Sequence, residues 1–416
     1  MNEISIYFLF VLAASILLQL WLEKRHVNYV GKHRRQIPTD FQDQITLDEH
    51  QKAADYTIAK SKSGVIELFY SSLLLVLWTL GGGLDLLDNL WTQSDLGNLM
   101  TGVGVIISAF LLMSLLDLPV SIYHTFKLEA RFGFNRTTPA TFISDLFKQT
   151  ALTLVISIPL VSLILWLMQV SGELWWLYVW GVWMSFSLLM MWAYPAFIAP
   201  LFNKFNPLDN PELEERISKL LKRCGFTSNG IFVMDGSTRS GHGNAYFTGL
   251  GKNKRIVFFD TLLESLEGEE VEAVLAHELG HFKRKHIQKQ IVSMAIISLS
   301  GLALLGWLMQ QPLFYSGLGV SQPSTYIALL LFMMVAPLTS IVLHPLMSLL
   351  SRRYEFEADE YAATQTDSRH LITALVKLYK ENASTLTPDP LYSAFHDSHP
   401  PAPVRIAHLA RITRAS

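Results

Sequence analysis

Charge is what this sequence has least of. Asp, Glu, Lys and Arg make up 16% of its 416 residues, while half of the residues are hydrophobic. An average globular chain carries about 25% charged residues. The deficit argues against an ordinary soluble enzyme and points to long lipid-facing stretches. The charges that remain nearly cancel, for a formal net charge of -2, so no nucleic-acid partner is expected. Cysteine is scarcer still. Cys224 stands alone, which excludes an intrachain disulfide framework and fits a reducing compartment. It reads as a core residue of a short helix. The arrangement of a cleaved signal peptide is also missing, because the first apolar run, Ile4 to Leu22, has Glu3 before it and Lys24-Arg25 after it. The run is expected to be a retained membrane helix with its N-terminus outside.

Further apolar runs occupy roughly 64 to 85, 101 to 123, 150 to 169, 174 to 200, 291 to 310 and 325 to 350, each near the ~20 residues a spanning helix needs. About seven spans result. The loop charges test this independently. Lys24, Arg25, Lys32, Arg34, Arg35, Lys52, Lys60 and Lys62 follow the first span, and Lys127, Arg131, Arg136 and Lys148 follow the third. Those loops are expected to be cytoplasmic, as are 201 to 290 and the tail after 350, whereas 86 to 100, 170 to 173 and 311 to 324 contain no Lys or Arg. Within the second run, Gly81-Gly82-Gly83 should end the helix early, and Glu67 should face protein or water rather than lipid.

This divides the chain into spans one to five (1–200), a cytoplasmic insertion (201–290), spans six and seven (291–350) and a C-terminal cytoplasmic part (351–416). The insertion opens with a helix. Asp209 or Asn210 can cap it, Pro211 suits its first turn, and Leu213, Ile217, Leu220, Leu221 and Cys224 form a stripe that stops at Gly225. Ile231 to Met234 reads as a short strand, and Asn244 to Leu250 with Arg255 to Phe259 as a hairpin turning at Gly251-Lys252-Asn253. Its edge could bind an extended peptide as an added strand, or be purely structural.

The pattern that organises the chain is His277-Glu278-Leu279-Gly280-His281. On a helix, positions four apart share a face, so both imidazoles can hold one Zn²⁺ while Glu278 reaches the attacking water as a general base. Peptide hydrolysis is the chemistry implied. A hydrolytic zinc site wants a third protein ligand. His286 is nine residues after His277, about half a turn away on a continuous helix, and so points to the opposite side. The longer HExxHxxGxxH pattern fails at Arg284 and Ile287. Downstream, Ser351 to Asp359 follows directly from span seven in what reads as continuous helix. Glu355 and Asp359 are four apart, which lets Glu355 ligate the metal while Asp359 fixes the tautomer of a ligating imidazole. By spacing alone, Glu357 and Glu360 compete for the ligand role. Both ligand helices are expected to run on into membrane spans, with His281 roughly 15 Å of helix from Ile291 and Glu355 roughly 7 Å from Leu350.

HELGH followed by SRRYEFEADEYA resembles the integral-membrane, gluzincin-type zinc proteases of the type I CAAX prenyl protease family. The likeness extends to DGSTRSGHGNAYFTGL at 235 to 250, KNKRIVFFDTLLE at 252 to 264 and SAFHDSHPPAPVRIAHL at 393 to 409. The resemblance implies an α-helical multi-pass membrane protein whose spans surround a large internal chamber, with a small α+β zinc-metallopeptidase domain. It also implies Glu355 as third ligand, Asp359 behind a ligand, Asn244-Ala245 in the substrate-binding strand, and His399 and Arg405 beside the scissile bond, where they would help stabilise the oxyanion.

The expected activity is zinc-dependent endopeptidase cleavage near the cytoplasmic membrane face, with one Zn²⁺ per chain and peptide or protein substrates that include prenylated C-terminal tails. A membrane quality-control protease that degrades misfolded proteins is the alternative. A transporter or receptor with structural zinc is a third reading, poorly served by the few charges inside the apolar runs, chiefly Glu67, Asp117 and His344. No dilysine-type tail is visible, so a bacterial inner membrane is favoured over an endoplasmic reticulum address.

Overall fold

The computed structural model describes residues 1–250 and 253–415. Its membrane part is helical: α1 (Glu3–His33), α2 (Leu47–Trp78), α3 (Gly83–Thr92), α4 (Asn98–Tyr123), α5 (Pro139–Val170) and α6 (Trp175–Ala193). Asn2 caps α1, Thr46 and Glu49 form a capping box on α2, and Thr138 caps α5 ahead of Pro139. A π-helical turn, His124–Glu129, prolongs α4, and another, Tyr194–Ile198, prolongs α6. Among the described residues, five helices are long and apolar enough to cross a membrane, or seven if two bent pairs each count as one span. One of these pairs is α2 with α3, which meet at 46°. The break falls at the expected glycines, where Gly82 has φ +78°, a conformation costly for other residues.

Residues after 202 build the sheet-containing part and two further candidate membrane helices. Strand β1 (Phe205–Pro207) is followed by α7 (Pro211–Cys224), β2 (Ile231–Met234), β3 (Ala245–Leu250) and β4 (Asn253–Phe259). Helix α7 is capped by Asn210, ends at Gly225 and buries the stripe from Leu213 to Cys224. The sheet order is β1-β2-β4-β3, with β3 and β4 antiparallel and β3 at an edge. The expected hairpin is present, although Gly251 and Lys252 of its turn lie outside the described residues. The HExxH stretch forms α8 (Gly268–Lys283), and α9 (His286–Leu308) follows. Then come α10 (Thr325–Ser340), α11 (His344–Gln365), α12 (Ser368–Glu381), α13 (Pro390–His396) and α14 (Ala402–Ala415). Helix α8 packs between the sheet and α11, α12 and α7, burying Val271, Leu275 and Leu279 against Ile217, Phe258 and Leu371 in one apolar core. Arg216 from α7 pairs with Glu269 at 2.6 Å, and Lys377 from α12 with Glu270 at 2.8 Å, bracing the start of α8.

Two expectations are corrected here. The HExxH helix does not continue into span six, because Lys285 adopts φ +59° and the chain turns before α9 begins. Nor is span seven one helix through to Glu355. Helices α10 and α11 meet at 68°, and Pro345 sits in the first turn of α11, where its ring and missing N–H oppose a continuous helix from the residues before it.

The membrane helices enclose space. A cavity of about 1110 Å³ is lined by Glu23, Lys60, Glu67 and His124 from the membrane helices together with Asn244, Tyr379, His396 and His399 from the sheet-containing part. Glu67 faces this interior, hydrogen-bonded to His124 and Ser63, as its charge requires. A second cavity of about 530 Å³, lined by Leu12, Leu75, Trp78, Asp117 and Met334, adjoins it at His396.

Candidate active site

Two helices that cross closely bring the candidate ligands together. His277 and His281 lie on α8 and Glu355 on α11. The approach depends on Gly280, since a Cβ there would lie 2.9 Å from Ala358 Cα and 3.1 Å from its carbonyl oxygen. The Nε2 atoms of His277 and His281 are 3.2 Å apart. Glu355 places Oε2 3.4 Å from His277 Nε2 and Oε1 3.4 Å from His281 Nε2. Ligand atoms ~2.05 Å from a tetrahedral zinc lie ~3.3 Å from one another, so the three groups have the spacing of one face of such a site. Glu355 Oε2 is moreover buried and makes no hydrogen bond among the described residues, with His277 Nε2 and Arg405 Nη1 each 3.4 Å away, so a cation held between these groups gives it the contact it lacks. The residues fit the metal.

Asp359, fully buried one turn beyond Glu355, sets its Oδ1 2.9 Å from His277 Nδ1. Burial and the neighbouring Arg405 disfavour a charged His277, but hydrogen bonds to Asp359 and Glu355 outweigh them and raise its pKa to about 9. Arg405 is itself buried. Its Nε and Nη2 donate to the two Asp359 oxygens at 2.9 and 2.5 Å, and Nη1 stands 3.4 Å from Glu355 Oε2. Its Nη2 also approaches His277 Nδ1 to 3.2 Å. The shorter Asp359 contact decides that nitrogen's role, as a donor to the carboxylate. Most of the guanidinium is therefore committed to Asp359, and only Nη1 is left toward the cavity.

A cavity of about 320 Å³ covers the site, lined by Asn244, Ala245, His277, Glu278, Glu355, His399 and Arg405 among others. Of the residues expected to ligate, catalyse or bind substrate, all but His281 and Asp359 line this cavity; His281 joins it through its contacts with His277 and Glu355, and Asp359 lies behind His277. His399 is mostly exposed, with Nε2 3.4 Å from Glu355 Oε1. Arg352 holds the chain leading to it, donating to Ser393 Oγ at 2.7 Å and to the Asp397 carbonyl at 3.3 Å. Asn244 precedes edge strand β3, and its carbonyl accepts from Phe259 N at 3.0 Å. Asn382, at the end of α12, fixes that entry by accepting from Gly243 N at 3.1 Å. Nothing in the sequence around Asn382 signals this role. His286 is the clearest reversal. Instead of pointing away, it sits 1% exposed with Nδ1 3.0 Å from His281 Nδ1, because the turn at Lys285 folds it back.

The comparisons bear on the whole chain. The family model for the CAAX prenyl protease N-terminal domain, five membrane helices, matches residues 26–204, and that for peptidase family M48 matches 207–413. A CAAX prenyl protease 1 homolog of Oryza sativa subsp. japonica is 35% identical over 377 residues, which cover 88% of each chain. This chain belongs to peptidase family M48. Family membership makes it a multi-pass membrane zinc metalloendopeptidase. CAAX prenyl protease 1 of Saccharomyces cerevisiae is 33% identical over 410 residues, covering 90% of this chain and 88% of its own. The crystal structure of S. mikatae Ste24p superposes with a TM-score of 0.90 at 31% identity, covering 98% of this chain and 99% of that one.

Proposed function

We propose that this M48 enzyme cleaves peptide bonds near the carboxyl end of membrane-delivered substrates, prenylated C-terminal tails among them, at the cytoplasmic face of the membrane. The observation that carries this is the shared lining of two cavities. Asn244, Tyr379 and His399 border both the small cavity over the ligand cluster and the large one between the membrane helices. A peptide can thus lie at the ligand cluster and extend into the large cavity, while an attached lipid reaches the apolar cavity of Leu12, Leu75 and Met334 that adjoins it at His396. The cytoplasmic orientation rests on the distribution of Lys and Arg between loops. Proteases named CAAX prenyl protease 1 among its relatives favour the same substrate class.

In this reading His277, His281 and Glu355 hold one Zn²⁺, and Asp359 keeps His277 in the tautomer that presents Nε2. When bound, zinc polarises the scissile carbonyl and lowers the pKa of water to about 7. The substrate backbone adds alongside edge strand β3 at Asn244-Ala245, so that recognition is largely independent of side chains. Glu278 takes the proton of the attacking water and passes it to the leaving amine. His399 donates toward the developing oxyanion. Arg405 acts mainly through Asp359 and Glu355, with Nη1 as its contribution to the cavity.

The test compares cleavage of a farnesylated CAAX peptide, its unprenylated form and an unfolded membrane protein, each with and without a chelator. Faster, chelator-sensitive cleavage of the farnesylated peptide is expected. Equal rates for all three would transfer the assignment to membrane quality control.

A further inference from the structure

The turn at Lys285 has a chemical result as well as a mechanical one. It places His286 against His281 with their Nδ1 atoms 3.0 Å apart. On its other side, His286 Nε2 is 3.1 Å from Glu357 Oε2, and its ring stacks on Tyr354 with centroids 4.3 Å apart. Glu357 is held in turn by Arg353, whose Nε lies 3.0 Å from Oε1, and by Lys289 at 3.7 Å.

Proton counting orders this chain of contacts. His281 directs Nε2 at His277 and Glu355, so a neutral imidazole ligating a metal there carries its proton on Nδ1. That N–H faces His286 Nδ1, which must be bare to accept it. The single proton of a neutral His286 is then on Nε2, pointed at the Glu357 carboxylate. The opposite tautomer of His286 would set two N–H groups against each other and leave the carboxylate facing a lone pair.

We infer that His286 and Glu357 form an imidazole–carboxylate relay that positions His281 for zinc, the counterpart of the Asp359 contact behind His277. The inference rests on the proposed reading of His281 as a zinc ligand. The two imidazole ligands are then oriented differently. His277 meets its carboxylate directly at 2.9 Å, whereas His281 reaches one through a second ring, packed into place by Tyr354.

The test measures the zinc content of the full-length enzyme in detergent and the half-life of bound zinc against a chromogenic chelator. Wild type should hold one zinc per chain. His286→Phe keeps a ring on Tyr354 but removes both polar contacts, and it should shorten the half-life about 10- to 100-fold, the usual cost of losing such a partner. Glu357→Leu should shift it in the same direction, and the double variant should add little, since both act through one path. Arg353→Gln loosens Glu357 but removes no relay atom, and should shorten the half-life clearly less than Glu357→Leu does. If His286→Phe does not fold, Glu357→Leu and Arg353→Gln decide alone. A wild-type half-life in His286→Phe or Glu357→Leu, or an equal loss in Arg353→Gln, overturns the relay. Absence of zinc from wild type instead overturns the ligand assignment beneath it.

Discussion

Gly280→Ala tests how the two ligand helices are held. The new methyl would stand 2.9 Å from Ala358 Cα, 3.1 Å from Ala358 O and 3.2 Å from Tyr361 Cβ, against a normal separation of ~3.5 Å or more. Two of these neighbours are backbone atoms, so rotamer changes cannot relieve the clash. Helices α8 and α11 must separate by about 0.6 Å. Such overpacking costs about 1–3 kcal/mol, while Ala restores about 1 kcal/mol of helix propensity over Gly. Global stability should therefore drop by no more than ~2 kcal/mol. The site is far less forgiving. His277 and His281 move with one helix and Glu355 with the other, and functional geometry tolerates only ~0.5 Å. A misplacement of ~1 Å can cost about 100-fold in rate. The expected result is a kcat/KM about 10- to 100-fold lower, with reduced zinc content and nearly unchanged thermal unfolding in detergent. Wild-type turnover with full zinc would refute the claim that Gly280 sets the helix spacing.

Three further outcomes are expected. Glu278→Gln should abolish peptide cleavage while zinc, measured by elemental analysis, stays bound, because the proposed mechanism gives the side chain proton transfer and not ligation. Asn382→Ala removes the acceptor for Gly243 N; steady-state kinetics should show a raised KM with zinc content unchanged, since only the entry to β3 is loosened. In the zinc-free protein His277 stays protonated up to about pH 9, and zinc must displace that proton. Apparent zinc affinity, read by chelator competition, should therefore rise by about tenfold per pH unit below pH 9 and level off above it.

Much of this architecture is legible in local chemistry. Helix α7 announces itself through Asn210, Pro211 and Gly225, and the hairpin through the turn formers Gly251-Lys252-Asn253 between its two runs. The juxtaposition of HELGH with Glu355 and Asp359 can be anticipated through the family resemblance, because spacing alone leaves Glu357 and Glu360 open for the third ligand that a zinc site needs. The path of the chain between these pieces is harder to read. Lys283-Arg284-Lys285 are ordinary helix formers, so the left-handed turn at Lys285 has no local signal and is imposed by how α8 and α9 pack. That turn alone reverses the direction of His286, whose expected orientation depends on an unbroken helix. The second break did carry a signal, Pro345, hidden within a run whose hydropathy resembles a single span. Arg405 illustrates a third kind of limit. The family resemblance places it near the chemistry, but only the fold shows that Asp359 takes up most of its guanidinium.

The breaks at Lys285 and before Pro345 bear on how the enzyme senses its bilayer. A rigid helix answers a change in hydrocarbon thickness by tilting, and a catalytic helix fused to such a rod would swing with it. Helix α9 is the least buried of the five unbroken candidate spans, its apolar window only 6% buried, and would respond most. Because α8 is jointed to α9 and clamped instead to α7, α11 and α12, hydrophobic mismatch is absorbed at the joint. What still couples the tilt of α9 to the catalytic geometry is His286 at the pivot, against His281.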